Sequence, residues 1–544
     1  MAIKNSGAAI KNIWMLTREY DGIAGAGGVK DVSRQLAEAL ARLKKSVTVM
    51  LPCYGFLEPE KLGFARQSLS FEVDMNYTAE DRRERVILWM KKLHKVTVYL
   101  VDAERYREKR SIYTYTAEEE AINPYQSKGS GHFDYFAMNI LLQKTALDLM
   151  ILLGQKPDII HCQDGHTAIL PAMMREGTGY RHYFTTTGAL VTIHNAGHGH
   201  HQEVGDLPFA RSICGLPSDV IQNNLLNGAF DPFLAASSFA VLNTVSENYA
   251  RELRETDDDV MTGWLGHRLM ARGIRLEGVT NGFNPGDFDT TKPKQLGLPA
   301  AFNPAKRDLA GKIACRTNMI RLLSGPGAKM VSQHGYLSET NEQPLFSIIG
   351  RLTPQKGVDI LVPALEKLVG TDREFQVLIL GSGAKDIEQR LIGLAGDKEN
   401  AGRICVLIGY DPLLANQVYA AGDFFLIPSR YEPCGLTDYI AQLAGNLPIV
   451  HHVGGLLKVE DGVTGFAFKD YTSDALIAAM LRAVRVFRNA PQRIMDMQET
   501  AAKRIGEKYT WDTVVHRYLE LYANSLKLLK NKSERRMVKK RKAI

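Results

Sequence analysis

Ten short runs rich in apolar and β-branched residues recur along the chain: "SVTVMLP", "KVTVYLV", "PDIIHC", "ALVTIHN", "SFAVLNTVS", "PLFSIIGRL", "FQVLILGSG", "RICVLIG", "FFLIPS" and "LPIVHHV". Helical patterns lie between most of them. Strands that are apolar on both faces and alternate with helices belong to parallel sheets covered on both sides, so the expected class is α/β with doubly wound sheets. The rhythm breaks between Asp289 and Gln343 in the Lys/Pro/Gly-rich pieces "TTKPKQLGLPAAFNPAKRD" and "GPGAKMVSQHGYLSETNEQP". A first domain is therefore expected over residues 1–300, a linker over 301–343 and a second domain over 344–505. At 544 residues and 45% hydrophobic, the chain is long enough to build both cores. Two such domains would place a ligand cleft at the carboxyl ends of their strands.

The net charge of +7 is carried by the end of the chain: residues 527–544 hold nine Lys/Arg and one Glu, which leaves −1 for everything before them. A basic end without interleaved aromatics reads as a solvated segment, and no nucleic-acid partner is expected. The sequence contains no uninterrupted apolar run of transmembrane length and no signal-peptide pattern, so no membrane association is expected. Six scattered cysteines without a CxxC pair fit a reducing compartment, and the expected location is cytoplasmic.

The stretch "IAGAGGVKDV" closes an apolar run and opens a helix. Gly25, Gly27 and Gly28 there would turn backbone amides and a helix N-terminus toward an anion. A dinucleotide fingerprint fails, since Lys30 stands where its third glycine is needed and no ribose-binding acid follows the next strand. A Walker A loop fails as well, because no Gly-Lys-Ser/Thr follows. A turn that serves packing alone is the remaining alternative.

In the carboxyl half, "GRLTPQKGVDIL" sets Arg351 and Lys356 at a strand-to-helix junction, and two cations there suit a diphosphate. Glu432 and the helix start Gly435-Leu436-Thr437 follow a later strand in "IPSRYEPCGLTDY", and a glycine pair comes next in "HHVGGLLKVEDGVTGFAF". His194, His198, His200, His201 and Glu203 could be weighed as a metal cluster, but glycine-spaced loop histidines read as solvent- or substrate-facing, and no metal site is expected. Asp287-Phe288-Asp289 is a chance D-x-D, and Asp257-Asp258-Asp259 reads as a solvated loop.

Taken in order, "GAGGVKDV", "HCQDGH", "TIHN", "TVSENYAREL", "GVTNGFN", "GRLTPQKG", "EPCGLT", "DGVTGF" and "YTWDTVVHRYLELY" resemble the bacterial glycogen synthase and plant starch synthase family from about residue 10 to 524. The resemblance implies the GT-B fold, with two facing Rossmann-like domains. It also implies a helix over 506–526 that crosses back to the first domain, followed by a basic tail over 527–544. The implied activity is transfer of glucose, with retention, from ADP-glucose to the non-reducing end of an α-1,4-glucan. The implied partners are that nucleotide sugar and a glycogen or maltooligosaccharide acceptor, with no cofactor and no metal.

The resemblance also implies roles. Arg351 and Lys356 would neutralise the donor diphosphate, Glu432 would hold the donor, and Cys434, Gly435, Leu436 and Thr437 would line its sugar and phosphate. His194 and Asp164 would sit at the transferred glucose, Asn281 would close the site, and Gly27 and Gly28 would meet the donor phosphate. The chain departs from the family at Gly25, the position of the family lysine; at Gly165, that of a family tryptophan; in "AGHGHHQEV" after "TIHN"; and in a short loop before "DGVTGF". With Gly25 lacking a charge, the turn would draw either on Lys30 or on the Gly27 and Gly28 amides alone, and the second is the expectation. The alternatives are another nucleotide sugar, a small acceptor, or a glucan-binding protein without turnover.

Overall fold

The computed structural model describes residues 10–324, 331–339, 343–371 and 374–542, with side chains through Lys530. The chain forms two compact units, Met1–Gly282 with Val514–Ile544, and Phe283–Thr513.

The first unit is built on β1 (Asn12–Leu16), β2 (Ser46–Pro52), β3 (Ala65–Asp74), β4 (Arg83–Leu93), β5 (Val96–Asp102), β6 (Ile159–Gln163), β7 (Gly188–Ile193), a small hairpin of β8 (Leu225–Leu226) and β9 (Ala229–Phe230), β10 (Val241–Thr244) and β11 (Glu277–Gly278). Its main sheet runs β11-β10-β7-β6-β1-β2-β5-β4-β3. Pairing is parallel from β11 to β5, and the antiparallel β4 and β3 form one edge. Strands β6 and β7 are buried along their whole length, as uniformly apolar central strands require. The helix Tyr135–Leu152 is long and apolar enough to cross a membrane, but 78% of it is buried inside the structure, as in a core helix.

Order along this sheet dictates where a ligand can enter. From β1 the chain moves to β2, runs out to β3 at the edge and returns through β4 to β5 beside β2, and then crosses β1 to wind the other way through β6, β7 and β10. The loops leaving β1 and β6 therefore diverge to opposite faces and leave a crevice at their carboxyl ends. The second unit repeats the scheme with β12 (Ser332–Gly335), β13 (Leu345–Leu352), β14 (Gln376–Gly383), β15 (Ile404–Ile408), β16 (Phe424–Ile427), β17 (Leu447–His451) and β18 (Phe466–Phe468) in the order β12-β15-β14-β13-β16-β17-β18. Its crevice lies between the ends of β13 and β16.

The units divide earlier than the sequence suggests. Phe283, Phe288, Leu296, Leu298 and Phe302 pack in the second unit with Phe425, Tyr439 and Leu456, so residues 283–300 leave the first domain. The expected linker over 301–343 contains the helix Ala310–Leu323, whose Met319, Ile320 and Leu323 pack against Leu378, Leu380 and Leu407. Lys312 on that helix bonds the carbonyls of Ala420 and Gly422 at 3.0 and 2.6 Å. Pro304 opens a short turn before that helix and Gly311 lies within it, while residues 325–330 and 340–342 of the expected linker lie outside the described residues.

The helix Trp511–Lys542 carries the chain back, and from Val514 it belongs to the first unit. Its Tyr522 hydroxyl lies 3.0 Å from Nδ1 of buried His161, whose Nε2 lies 2.8 Å from Thr192 Oγ1. Thr192 donates to Asn243 Oδ1 at 2.7 Å, so it accepts from His161 Nε2–H, and Nδ1 accepts from Tyr522. The line of donors joins the last helix to β6, β7 and β10. Replacing Tyr522 with Phe leaves a buried ring nitrogen without its donor, which should cost about 1–3 kcal/mol in a urea unfolding curve. An unchanged midpoint would show that this bond does not secure the helix.

Candidate active site

In the first unit, the loop leaving β1 is organised by Glu19. Its buried carboxylate accepts the amides of Ala26 and Gly27 at 2.6 and 2.8 Å and the Tyr113 hydroxyl at 2.5 Å. One of the two glycine amides expected to meet a ligand phosphate is thus already turned onto an internal carboxylate. Arg18 beside it is buried, with Nε on the Tyr54 hydroxyl at 2.7 Å and one terminal nitrogen on Asn139 Oδ1 at 2.7 Å. The loop is held from behind.

Lys30 does not face away from the turn. A Cβ built on Gly25 would lie 2.2 Å from Lys30 Cδ, so the lysine stem lies across the glycine. Its ammonium reaches Asp31 at 2.7 Å and Asp21 at 3.4 Å. A cation thus stands at the turn, delivered from the following helix and held by two aspartates.

Across the crevice, β6 ends at Asp164, which adopts φ 58° and ψ −179°, a backbone region that an L residue occupies only under strain. The strain turns its carboxylate onto the end of β7, where Oδ1 accepts the amides of His194 at 2.7 Å and Asn195 at 3.4 Å. Burial pushes the Asp164 carboxyl up to about 7, against those amides, and the negative charge of Glu19 adds to the rise. Burial likewise lowers the His194 imidazole to about 3, so the ring is neutral at physiological pH. Its Nε2 lies 2.6 Å from Gln163 Oε1 and therefore carries the proton, leaving Nδ1 as the ring acceptor. Asn281 is buried at the end of this unit.

The second unit carries the cations. Lys356 Nζ donates to Glu432 Oε2 at 2.6 Å, and Ser429 Oγ donates to the same oxygen at 3.0 Å. Burial alone would raise the Glu432 carboxyl, but Lys356 and Ser429 outweigh it and hold the group below the ordinary glutamate range. Glycines allow this approach of β13 and β16. Gly357 has φ 79°, and a Cβ there would meet the Pro428 carbonyl oxygen at 1.9 Å. The pair in "VGGL" has the same reason, since Cβ atoms on Gly454 and Gly455 would each lie 2.0 Å from the carbonyl oxygens of Glu432 and Cys434.

Arg351 is exposed at the end of β13, 3.3 Å from Gln355. Cys434 and Gly435 are buried ahead of the helix Thr437–Leu443, while Leu436 and Thr437 are half-buried at its start. Buried Lys458 binds the Cys434 carbonyl, the Gly435 carbonyl at 2.7 Å and Asp438 at 3.1 Å. Sequence reading passed over Glu19, Tyr113, Ser429 and Lys458. Glu19 alone had a local signal, an acid between a strand and a glycine turn.

Gly165 and the "AGHGHHQEV" loop lie against each other. A Cβ on Gly165 would lie 2.2 Å from the His201 carbonyl oxygen and 2.8 Å from that of His200, so the backbone of the "AGHGHHQEV" loop lies directly on Gly165. His201 fixes that loop, with Nδ1 on Asp231 at 2.6 Å and Nε2 on the Ala196 carbonyl at 2.7 Å. Asp259, expected in a solvated loop, is instead buried and accepts the amides of Gly266 at 3.0 Å and His267 at 2.8 Å. Among the described residues, no three His, Cys, Asp or Glu side chains are grouped to hold a metal ion.

Comparison with known proteins follows the same division. Residues 12–268 match the starch synthase catalytic domain and residues 343–485 match glycosyl transferases group 1. Glycogen synthase 2 of Geobacter sulfurreducens is 30% identical over 94% of this chain and 98% of its own, and glycogen synthase of Vibrio cholerae is 28% identical over the same shares. Among solved structures, the catalytic domain of starch synthase IV from Arabidopsis thaliana, bound to ADP and acarbose, superimposes with a TM-score of 0.78 at 24% identity, covering 95% of this chain and 100% of that one. Sucrose-phosphate synthase from Thermosynechococcus elongatus follows at 0.55 and 17%, covering 94% and 98%.

Asp164 offers a test of the buried site. Its acid is raised from an ordinary 3.8 to about 7, so the folded chain holds this proton more tightly than the unfolded one. That contribution is complete at low pH and is lost as pH rises through the interval. Asp164→Asn has no proton to lose, so its melting temperature should gain on the parent's between pH 5 and 8. A constant difference would mean that Asp164 is ionised throughout.

Proposed function

The chain belongs to the glycogen and starch synthase family and is a GT-B glucosyltransferase, and we propose that it transfers glucose from ADP-glucose to the non-reducing end of an α-1,4-glucan with retention of configuration. The observation that carries this reading is the Lys356–Glu432 pair at the crevice of the second unit, 2.6 Å apart with Arg351 on the adjoining strand end. A diphosphate leaving group gains negative charge as the glycosidic bond breaks. Fixed cations at that point stabilise the transition state more than the ground state.

Lys356 and Arg351 then act on the diphosphate, Glu432 orients Lys356, and the backbone of Cys434, Gly435, Leu436 and Thr437 lines the donor. In the first unit, Gly28 at the start of the helix Val29–Arg42 and Lys30 offer an amide and a cation to a donor phosphate at the glycine turn. His194, neutral and with its proton on Nε2, offers a carbonyl and a ring acceptor to the positive charge developing at the anomeric carbon. Asp164 holds the His194 backbone in place, and Asn281 closes the site. The leaving diphosphate accepts the acceptor's hydroxyl proton on the same face, which yields retention. Because the fixed cations supply the electrostatics, the reaction needs no metal, and a soluble donor and acceptor fit a cytoplasmic enzyme.

The deciding measurement is ADP release from ADP-glucose on adding glycogen, with UDP-glucose and maltooligosaccharides as parallel arms. Lys356→Ala should lower kcat by ~10²–10³ with the fold retained by circular dichroism. Near-parental turnover would remove the diphosphate assignment. Lys30→Ala should raise the apparent KM for ADP-glucose about tenfold or more, and Gly25→Lys in that background should restore it. No change in either variant would show that the turn does not face the donor.

A further inference from the structure

The first unit contains an open cavity of about 190 Å³ lined by His198, His201, Glu203, Asn227, Asp231 and Thr262, with Leu226 and Ala229 as an apolar wall. It is bounded on one side by the loop that lies on Gly165 and on another by the turn after buried Asp259. None of the roles proposed above uses it.

Its polar groups divide into a fixed set and an available one. His201 and Asp231 are paired at 2.6 Å, and the Thr262 hydroxyl donates to Asp259, so these side chains form the frame. The His198 ring and the Glu203 carboxylate make no hydrogen bond among the described residues. Asn227 spends its amide nitrogen on the Gly263 carbonyl at 3.2 Å. Three non-glycine residues around the cavity hold left-handed backbone: Gln202 at φ 64°, Asn227 at 51° and Trp264 at 69°. For a tryptophan this is a costly conformation. It leaves Trp264 42% exposed directly after cavity-lining Gly263.

The chemistry selects the ligand. Glu203, together with an Asp231 already matched by His201, gives no surplus of positive charge, which disfavours a phosphate. The volume leaves room for a single sugar ring. A carboxylate, an imidazole and an amide oxygen beside a small apolar wall suit a ring with hydroxyls on its edge and C–H groups on its face. We infer that this cavity is a pyranose subsite, in which Glu203 and His198 bond the hydroxyls of one glucosyl unit. That the unit is glucosyl rests on the transferase reading; that it is a neutral sugar rests on the cavity.

Calorimetric titration of the full chain with maltotriose and with glucose, without nucleotide, tests this. Saccharide binding should weaken about tenfold or more in both Glu203→Gln and His198→Ala, whose side chains lie at the cavity rather than in a core. Glu366→Gln, on the second unit's surface, should leave it unchanged. Binding of maltotriose alone identifies glucan ends as the source, and binding of both sugars adds free hexose; either supports the subsite. Parental affinity in both cavity variants overturns it, as does an absence of saccharide binding, even if ADP release with glycogen proceeds. Variant-sensitive binding without ADP release on any glucan would instead keep the subsite and overturn the transferase reading.

Discussion

A carboxylate buried like that of Glu432 keeps its charge only because a cation and a hydroxyl meet it there. Lys356 and Ser429 do so from the ends of neighbouring strands, and the geometry of the second unit's crevice follows from that requirement. The strand ends come close enough only if Gly357 and Gly454 carry no Cβ, and the loop after Glu432 keeps its path only if Gly455 and Lys458 hold its carbonyls. A group that would be expensive to bury alone becomes a rigid point on which the half-buried ammonium of Lys356 can be aimed.

The first unit reaches a comparable result with the signs reversed. Here the buried anchors are acids: Glu19 gathers the amides of the glycine turn, and Asp164 gathers those at the end of β7. Burial holds the Asp164 proton to near neutrality, and the Glu19 charge adds a smaller push. A cation reaches the glycine turn from the following helix. The stem of Lys30 fills the space above the glycine, and its charge is held by Asp21 and Asp31.

Much of this was legible in the sequence because its signals are local. Uniformly apolar strands, the glycine turn, and the cations after β13 announce themselves within a dozen residues. The β3 and β4 edge did not, since its strands are polar and half-exposed. Neither did the early division at Gly282, because Phe283 and Phe288 reveal their allegiance only through partners more than a hundred residues away. Gly165 and the histidine loop looked like two separate losses. Only the spacing of their backbones shows that the histidine loop occupies the space a side chain at position 165 would need.

The return of the last helix to β6 also sets the order in which the chain can be completed. The second unit, Phe283–Thr513, is continuous and has all its strands once its own stretch has been synthesised. The first unit lacks its closing helix until Tyr522 has been made, so His161 waits without its donor while the whole of the later unit emerges. Domains generally fold as they leave the ribosome, first unit first. In this chain the earlier half is the last to be finished, and it spends that interval with one flank of its sheet open to whatever holds nascent protein.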